Sequence, residues 1–195
     1  TWAGILATAP CTDITSITHT SITDAEMIGK ELMMVTGITM TPAQYEAEIA
    51  SQESRMGSFY KVIPHQVADA IGYTVTKVTE RREPIIYDEP IFCKLLERDI
   101  VPGECAGTRI VAEVHTQEGL TINAHIELRI FREGEKENMI WEVEGKPSLK
   151  VSVDRTDAGY FTAASMFNRI PDVIDAEPGL QPISKLGLMR HSALI

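Results

Sequence analysis

The chain has 195 residues, 44% of them hydrophobic and 24% charged, with 28 acidic against 18 basic side chains and a formal charge of −10. That length suits one domain of about 100–200 residues with a real core, and the composition, with a mean hydropathy of −0.05, reads as neither disordered nor membrane-embedded. The acidic balance opposes phosphate backbones and anionic lipid, so neither nucleic acid nor membrane is an expected partner.

In chain order, the opening Trp2-Ala3-Gly4-Ile5-Leu6-Ala7 is a short apolar helical pattern. Residues 13–22 are rich in β-branched side chains and predict a strand. Thr23-Asp24-Ala25-Glu26 has capping-box form and predicts a short helix to about Met34. Thr41-Pro42-Ala43-Gln44 is the stronger signal, an N-cap with proline at N1 and a box partner at N3. A third helix is expected over 64–71, with Val67, Ala70 and Ile71 inward and Gly72 closing it.

From Tyr73 onward the period changes to two. Leu120, Ile122, Ala124, Ile126, Leu128 and Ile130 alternate with polar neighbours. If Gln117-Glu118-Gly119 is a three-residue hairpin loop, Val114 falls opposite Ile122, Ala112 opposite Ala124, Ile110 opposite Ile126, and Arg109 meets Glu127 on the other face. Two further strands, 139–144 and 148–154, joined at Gly145-Lys146-Pro147, extend this to an antiparallel meander. After the N-cap Asp157, residues 159–170 read as a buried helix ended by Pro171, before an extended tail.

No apolar run approaches the roughly 20 residues of a membrane helix, and no signal-peptide pattern is present, so a cytoplasmic protein is the default. The start at Thr1 rather than Met fits a processed terminus, an artificial boundary or the cut end of something longer. Cys11, Cys93 and Cys105 have no CxxC pair and read as reduced thiols.

Glycine-rich phosphate loops are missing: there is no Gly-x-Gly-x-x-Gly after a strand and no Gly-x-x-x-x-Gly-Lys-[Ser/Thr]. The Gly-x-Ser-x-Gly and His-Glu-x-x-His hydrolase signatures are missing too. His115 and His125 share a hairpin face but are not directly opposite, so a polar or interface face is favoured over a metal pair. Glu142 and Glu144 share a strand face and could do acid/base work, with solvated acids as the plainer reading. Trp141 has core packing as its default. Thr162, Ser165, Asn168 and Arg169 are polar groups in an apolar helix that must cap backbone or face a ligand or interface.

Beginning at Asn168-Arg169-Ile170-Pro171 and Ala176-Glu177-Pro178-Gly179-Leu180, the chain resembles the C-terminal domain of dihydrodipicolinate-reductase-like NAD(P)-dependent dehydrogenases, especially 2,4-diaminopentanoate dehydrogenase and the native amine dehydrogenases. Gly37-Ile38-Thr39-Met40-Thr41-Pro42-Ala43-Gln44-Tyr45-Glu46 is similar to that family's Gly-x-Thr-Pro-x-x-Phe-Glu stretch. Gln66-Val67-Ala68-Asp69-Ala70-Ile71-Gly72-Tyr73 is similar to its Ile-Ala-Asp-Ala-Leu-Gly-Trp helix end. Arg82-Glu83-Pro84 and Gly145-Lys146-Pro147-Ser148 follow in family order. Two departures stand out: Arg55-Met56-Gly57-Ser58 replaces the usual Gly-His-x-Gly, and the basic cluster of true dihydrodipicolinate reductases is missing.

The resemblance implies an α+β fold, a mixed, largely antiparallel sheet backed by helices, similar to the C-terminal domains of glyceraldehyde-3-phosphate dehydrogenase and dihydrodipicolinate reductase. It implies that 1–195 is one substrate-binding and oligomerisation domain of an NAD(P)-dependent oxidoreductase acting on an amine, imine or amino-acid-derived substrate. The dinucleotide would be bound mainly by an N-terminal Rossmann domain outside this chain, so the chain alone is expected to be inactive, and a homodimer or tetramer is expected. Met56, Tyr60, Trp141, Glu144, Thr162 and Asn168 would lie at the cleft, with no catalytic, cofactor or metal residue assigned here. The alternatives are a non-enzymatic α+β ligand-binding or assembly module and an isomerase-like enzyme using Glu142 or Glu144 as base.

Overall fold

The computed structural model describes residues 1–50 and 58–192; Met56 lies outside them. Helix α1 (Trp2–Thr8) leads into β1 (Thr12–Asp24), then a 3-10 turn (Ala25–Ile28), α2 (Lys30–Met34), α3 (Pro42–Tyr45) with a π turn (Glu46–Ala50), and α4 (Ser58–Ala70). Strands β2 (Val75–Ile86), β3 (Ile91–Cys93), β4 (Arg98–Ile100), β5 (Cys105–Thr116), β6 (Thr121–Arg129), β7 (Asn138–Lys146) and β8 (Leu149–Asp154) follow, then α5 (Ala158–Phe167) and α6 (Ile170–Ile174).

The β5–β6 hairpin has the register expected from its alternation: Val114 pairs with Ile122, Ala112 with Ala124, Ile110 with Ile126 and Arg109 with Glu127. The Arg109 guanidinium donates to Glu127 at 2.8 and 2.9 Å. Gly119, at φ +91°, closes the loop. The capping box also forms, with the Gln44 N–H donating to Thr41 Oγ1 and the Thr41 N–H to Gln44 Oε1.

Four expectations need correction. The strands are not a meander: the six-stranded sheet has the order β2-β5-β6-β1-β7-β8, and β1 lies between β6 and β7, parallel to the first and antiparallel to the second. Pairing with a strand a hundred residues away leaves no trace in local alternation. No helix begins at Thr23, because β1 runs to Asp24, whose carboxylate caps the 3-10 turn at Glu26 N, and Gly29 at φ +83° separates that turn from α2. Helix α4 starts at Ser58 and keeps Pro64 in its interior; Val67 is buried and Ile71 packs against the core as expected, but the buried face also takes in Pro64 and Ala68, and Ala70 is only half-buried. Finally, α5 is open rather than buried. Tyr160 is 75%, Met166 69% and Phe167 58% exposed, because none of the other described residues covers that face.

Helices α1 and α4 pack on one side of the sheet around Ile17, Val114, Leu120, Ile122, Trp141 and Val143. Ala7 comes from α1, and Val67 and Ala68 from α4. A smaller cluster of Ala25, Met33, Ile38, Cys93, Ile100, Ala106 and Ile130 seats the β3–β4 hairpin against one end of the body.

Candidate functional site

The helix-facing side of the sheet changes character along the strands, and the pairing registers show where. One row across the sheet reads Leu149, Val143, Ile17, Ile122, Val114 and Val78, all apolar. The next reads Val151, Trp141, His19, Ala124, Ala112 and Glu80, and the one after it Val153, Met139, Ser21, Ile126, Ile110 and Arg82. Alternation within each strand forces these side chains to the same face. Two small alanines thus form the floor between an aromatic–imidazole pair on one side and an ion pair three strands away, about 14 Å at the usual strand spacing.

On the β2 side, Glu80 and Arg82 approach to 3.9 Å with side chains 7% and 12% exposed. Burial pushes the Glu80 carboxyl above the ordinary range, against the pull of Arg82 and Lys61. Tyr60 projects from the first turn of α4 into the field of both charges, and burial raises its phenol. Tyr45 lies close by: its hydroxyl is hydrogen-bonded with the Thr108 hydroxyl and donates to the Glu83 carbonyl at 3.3 Å.

Opposite, the Trp141 and His19 rings stack with centroids 4.2 Å apart and planes 20° from parallel. His19 Nδ1 lies 3.1 Å from the Ile140 carbonyl, which can only accept, so Nδ1 carries the proton. Burial lowers the His19 pKa to about 4, leaving a neutral ring at pH 7. Arg155, just past β8, reaches over to β1, where one Nη donates to Ser21 Oγ, the Ile22 carbonyl and Thr23 Oγ1 at 3.2–3.4 Å. Helix α1 carries its first turn over this polar end, with Thr1 near His19. Gly4 rests on the Trp141 ring so closely that a Cβ would come within 2.5 Å of it. Trp2 lies beneath the Arg169 guanidinium at 5.1 Å, tying the α5–α6 segment to the same end.

This is a mixed aromatic, basic and acidic surface at one end of an otherwise apolar sheet face, with the chemistry to hold a small polar molecule. The sequence profile of the 2,4-diaminopentanoate dehydrogenase C-terminal domain matches residues 4–193. The chain belongs to that family. A solved amine dehydrogenase from Mycobacterium smegmatis superposes with a TM-score of 0.84 over 97% of this chain, at 24% identity, which speaks for the shared fold alone. The chain spans 56% of that protein's length. No curated protein matches the sequence.

For this member of the 2,4-diaminopentanoate dehydrogenase C-terminal domain family, the residues singled out by resemblance divide by location. Tyr60 lies at the polar end with Glu80 and Arg82. Trp141 is on the same face but has no exposed surface, and it belongs to the core cluster. Glu144 is exposed on the opposite face, where it accepts from Ser148 Oγ at 3.0 Å. It cannot share a pocket with Trp141, because positions three apart on a strand point to opposite faces. Thr162 is exposed on α5, and Asn168 caps the end of α5 and accepts from the Ser192 N–H at 2.9 Å. The sequence reading missed Glu80, Arg82, His19 and Arg155. For the first two a signal existed, since Val78 as an inward residue makes Glu80 and Arg82 inward as well. Among the described residues no group of three His, Cys, Asp or Glu could hold a metal, and no helix is long and apolar enough to cross a membrane.

Proposed function

We propose that this chain is the substrate-binding and oligomerisation domain of an NAD(P)-dependent oxidoreductase acting on an amine, an imine or an amino-acid-derived substrate. The observation that carries the reading is the change from apolar to ionisable side chains along the helix-facing side of the sheet, at the end over which the α1 N-terminus lies. A dinucleotide-binding domain abutting that end would enclose Tyr60, Glu80, Arg82, Arg155 and the late helix against the reacting centre.

This chain does not itself fit a dinucleotide's pyrophosphate. Its described residues contain no strand, glycine-rich turn and helix in succession to offer the N–H groups of a helix N-terminus. Hydride chemistry belongs to a nicotinamide held by the companion domain. The part of this chain is to bind the substrate, orient it and keep water out. Tyr60 beside the Glu80–Arg82 pair, with Thr162 and Asn168 on the α5 side, would orient its polar groups, and Trp141 would support the floor from within the core. Met56 is kept as a substrate-binding residue on the family resemblance alone, and Glu144, on the outer face, would serve an assembly contact instead of the cleft. That outer face, with Thr121, Asn123, His125 and Glu127 only part-covered, supplies the oligomer surface.

The test is calorimetric. The 195-residue chain titrated with NADH and with NADPH is expected to show no micromolar binding, whereas the chain joined to its dinucleotide-binding domain is expected to bind one of them and reduce it with an amine. Micromolar binding to the chain alone would overturn the division of labour.

A further inference from the structure

Among the buried polar groups at this end of the sheet, Glu137 has both of its carboxylate oxygens unpartnered. It lies immediately before β7 and is 7% exposed. Its place on the sheet is fixed from both sides. The Arg155 N–H donates to the Glu137 carbonyl at 3.0 Å, continuing the β7–β8 ladder, and Asn138 bonds Ser152 and Asp154 on the outer face. Alternation then turns Glu137 to the helix-facing side, in line with Met139 and Trp141. The cation nearest in the ladder is turned to β1 instead: Arg155 spends one Nη on three acceptors of β1, makes no ion pair with Glu137, and leaves its own buried Nε without a partner. A buried carboxylate without donors is among the costliest groups a fold can keep. Such groups persist where a ligand completes them, a stability deficit characteristic of functional sites.

We propose that Glu137 is a binding residue for a primary ammonium group of the substrate, completing its hydrogen bonds only when the ligand is present. This rests on the reading of the chain as an amine-handling domain and names the acid that would hold the amine. An ammonium fits better than a quaternary amine, which has no N–H to donate. The carboxylate has two free oxygens for a compact three-donor cation, and the hydroxyl oxygens of Ser21 and Thr23, which also accept from Arg155, lie on the neighbouring strand. The residues after Arg155 lead directly into α5, so the acid lies at the border between the packed body and the open helix that the companion domain would cover.

The experiment titrates the full chain with n-butylammonium chloride, and in parallel with n-pentanol as the uncharged analogue, by calorimetry and without any dinucleotide. The wild-type protein is expected to bind the ammonium and not the alcohol. Glu137→Gln is expected to weaken ammonium binding at least tenfold, and Glu113→Gln on the outer face to leave it unchanged. Melting temperature separates function from structure. Glu137→Gln and Glu137→Leu are expected to melt at the wild-type temperature or above, because they remove an unpartnered buried charge. No ammonium binding by the wild type, equal binding by Glu137→Gln, or a clear fall in melting temperature in both variants would overturn the proposal. A change in oligomeric mass on Glu137→Gln with ammonium binding intact would likewise overturn it, by assigning the acid to a protein contact. Absence of ammonium binding alongside amine-dependent reduction of a dinucleotide by the two-domain enzyme overturns this site alone. Ammonium binding without such reduction supports the site and overturns the dehydrogenase reading.

Discussion

Trp141→Ala is expected to cost about 3–5 kcal/mol of folding stability, the range for deleting a large aromatic side chain from a packed core. The ring has no exposed surface, lies under Gly4 of α1, stacks on His19 and belongs to the cluster that joins both helices to the sheet. Against the roughly 5–15 kcal/mol that holds an ordinary domain together, this removes a large share of the stability, and at the low end of that range it leaves much of the chain unfolded. Urea unfolding of both proteins measures it. A loss below about 1 kcal/mol would mean that the ring has room around it and can serve a ligand after all. The contact with Gly4 gives an independent check. Gly4→Ala is expected to destabilise the wild type severely, since the new Cβ would sit 2.5 Å from the indole, yet to be tolerated when Trp141 is already alanine. Simple additivity of the two changes would contradict the close packing of α1 on Trp141.

The second large effect is on the pH dependence of stability. His19 is 3% exposed, and burial depresses its pKa from 6.5 to about 4. Below pH 6.5 the unfolded chain takes up a proton at this residue that the folded protein refuses, so the unfolded state binds more protons and stability falls with falling pH. The loss begins near pH 6.5 and is complete near pH 4, where it amounts to about 3 kcal/mol. Raised carboxyls at Asp24 and Glu80 act with the opposite sign, gaining stability as they protonate. The informative quantity is therefore the difference between wild type and His19→Gln, in which those terms cancel and the donor to the Ile140 carbonyl is kept. That difference is expected to shift by about 3 kcal/mol in favour of the variant between pH 7.5 and pH 4. A difference that stays flat across the window would show that His19 is solvated enough to titrate normally.

Much of the fold was legible where the information is local. The β5–β6 register follows from strict alternation on both strands and a glycine-closed loop, and the Thr41–Gln44 box from adjacent side chains. What stayed hidden was long-range. Nothing in residues 13–22 says that this strand inserts between β6 and β7, and its insertion is what brings His19 beside Trp141. Apolar composition told that α5 needs a cover, but composition cannot say that no other described residue supplies it. At the site, the inward orientation of Glu80 and Arg82 could have been read from Val78, and Trp141 separated from Glu144, by counting strand parity alone. Glu137 and Arg155 could not, because Glu137 stands out by having no hydrogen-bond partner and Arg155 by contacts on β1 more than 130 residues away in sequence.

The most direct test of the central claim is the steady-state kinetics of amine oxidation by this chain joined to the dinucleotide-binding domain proposed for it. The account predicts amine-dependent reduction of NAD or NADP. It also predicts about a tenfold fall in kcat/KM for Tyr60→Phe, equivalent to about 1.4 kcal/mol of lost transition-state stabilisation, with the melting temperature unchanged and Thr121→Ala on the outer face without effect. No reduction of either nicotinamide with any primary amine, or full activity in Tyr60→Phe, would contradict the claim that the polar end of this sheet is where the substrate binds.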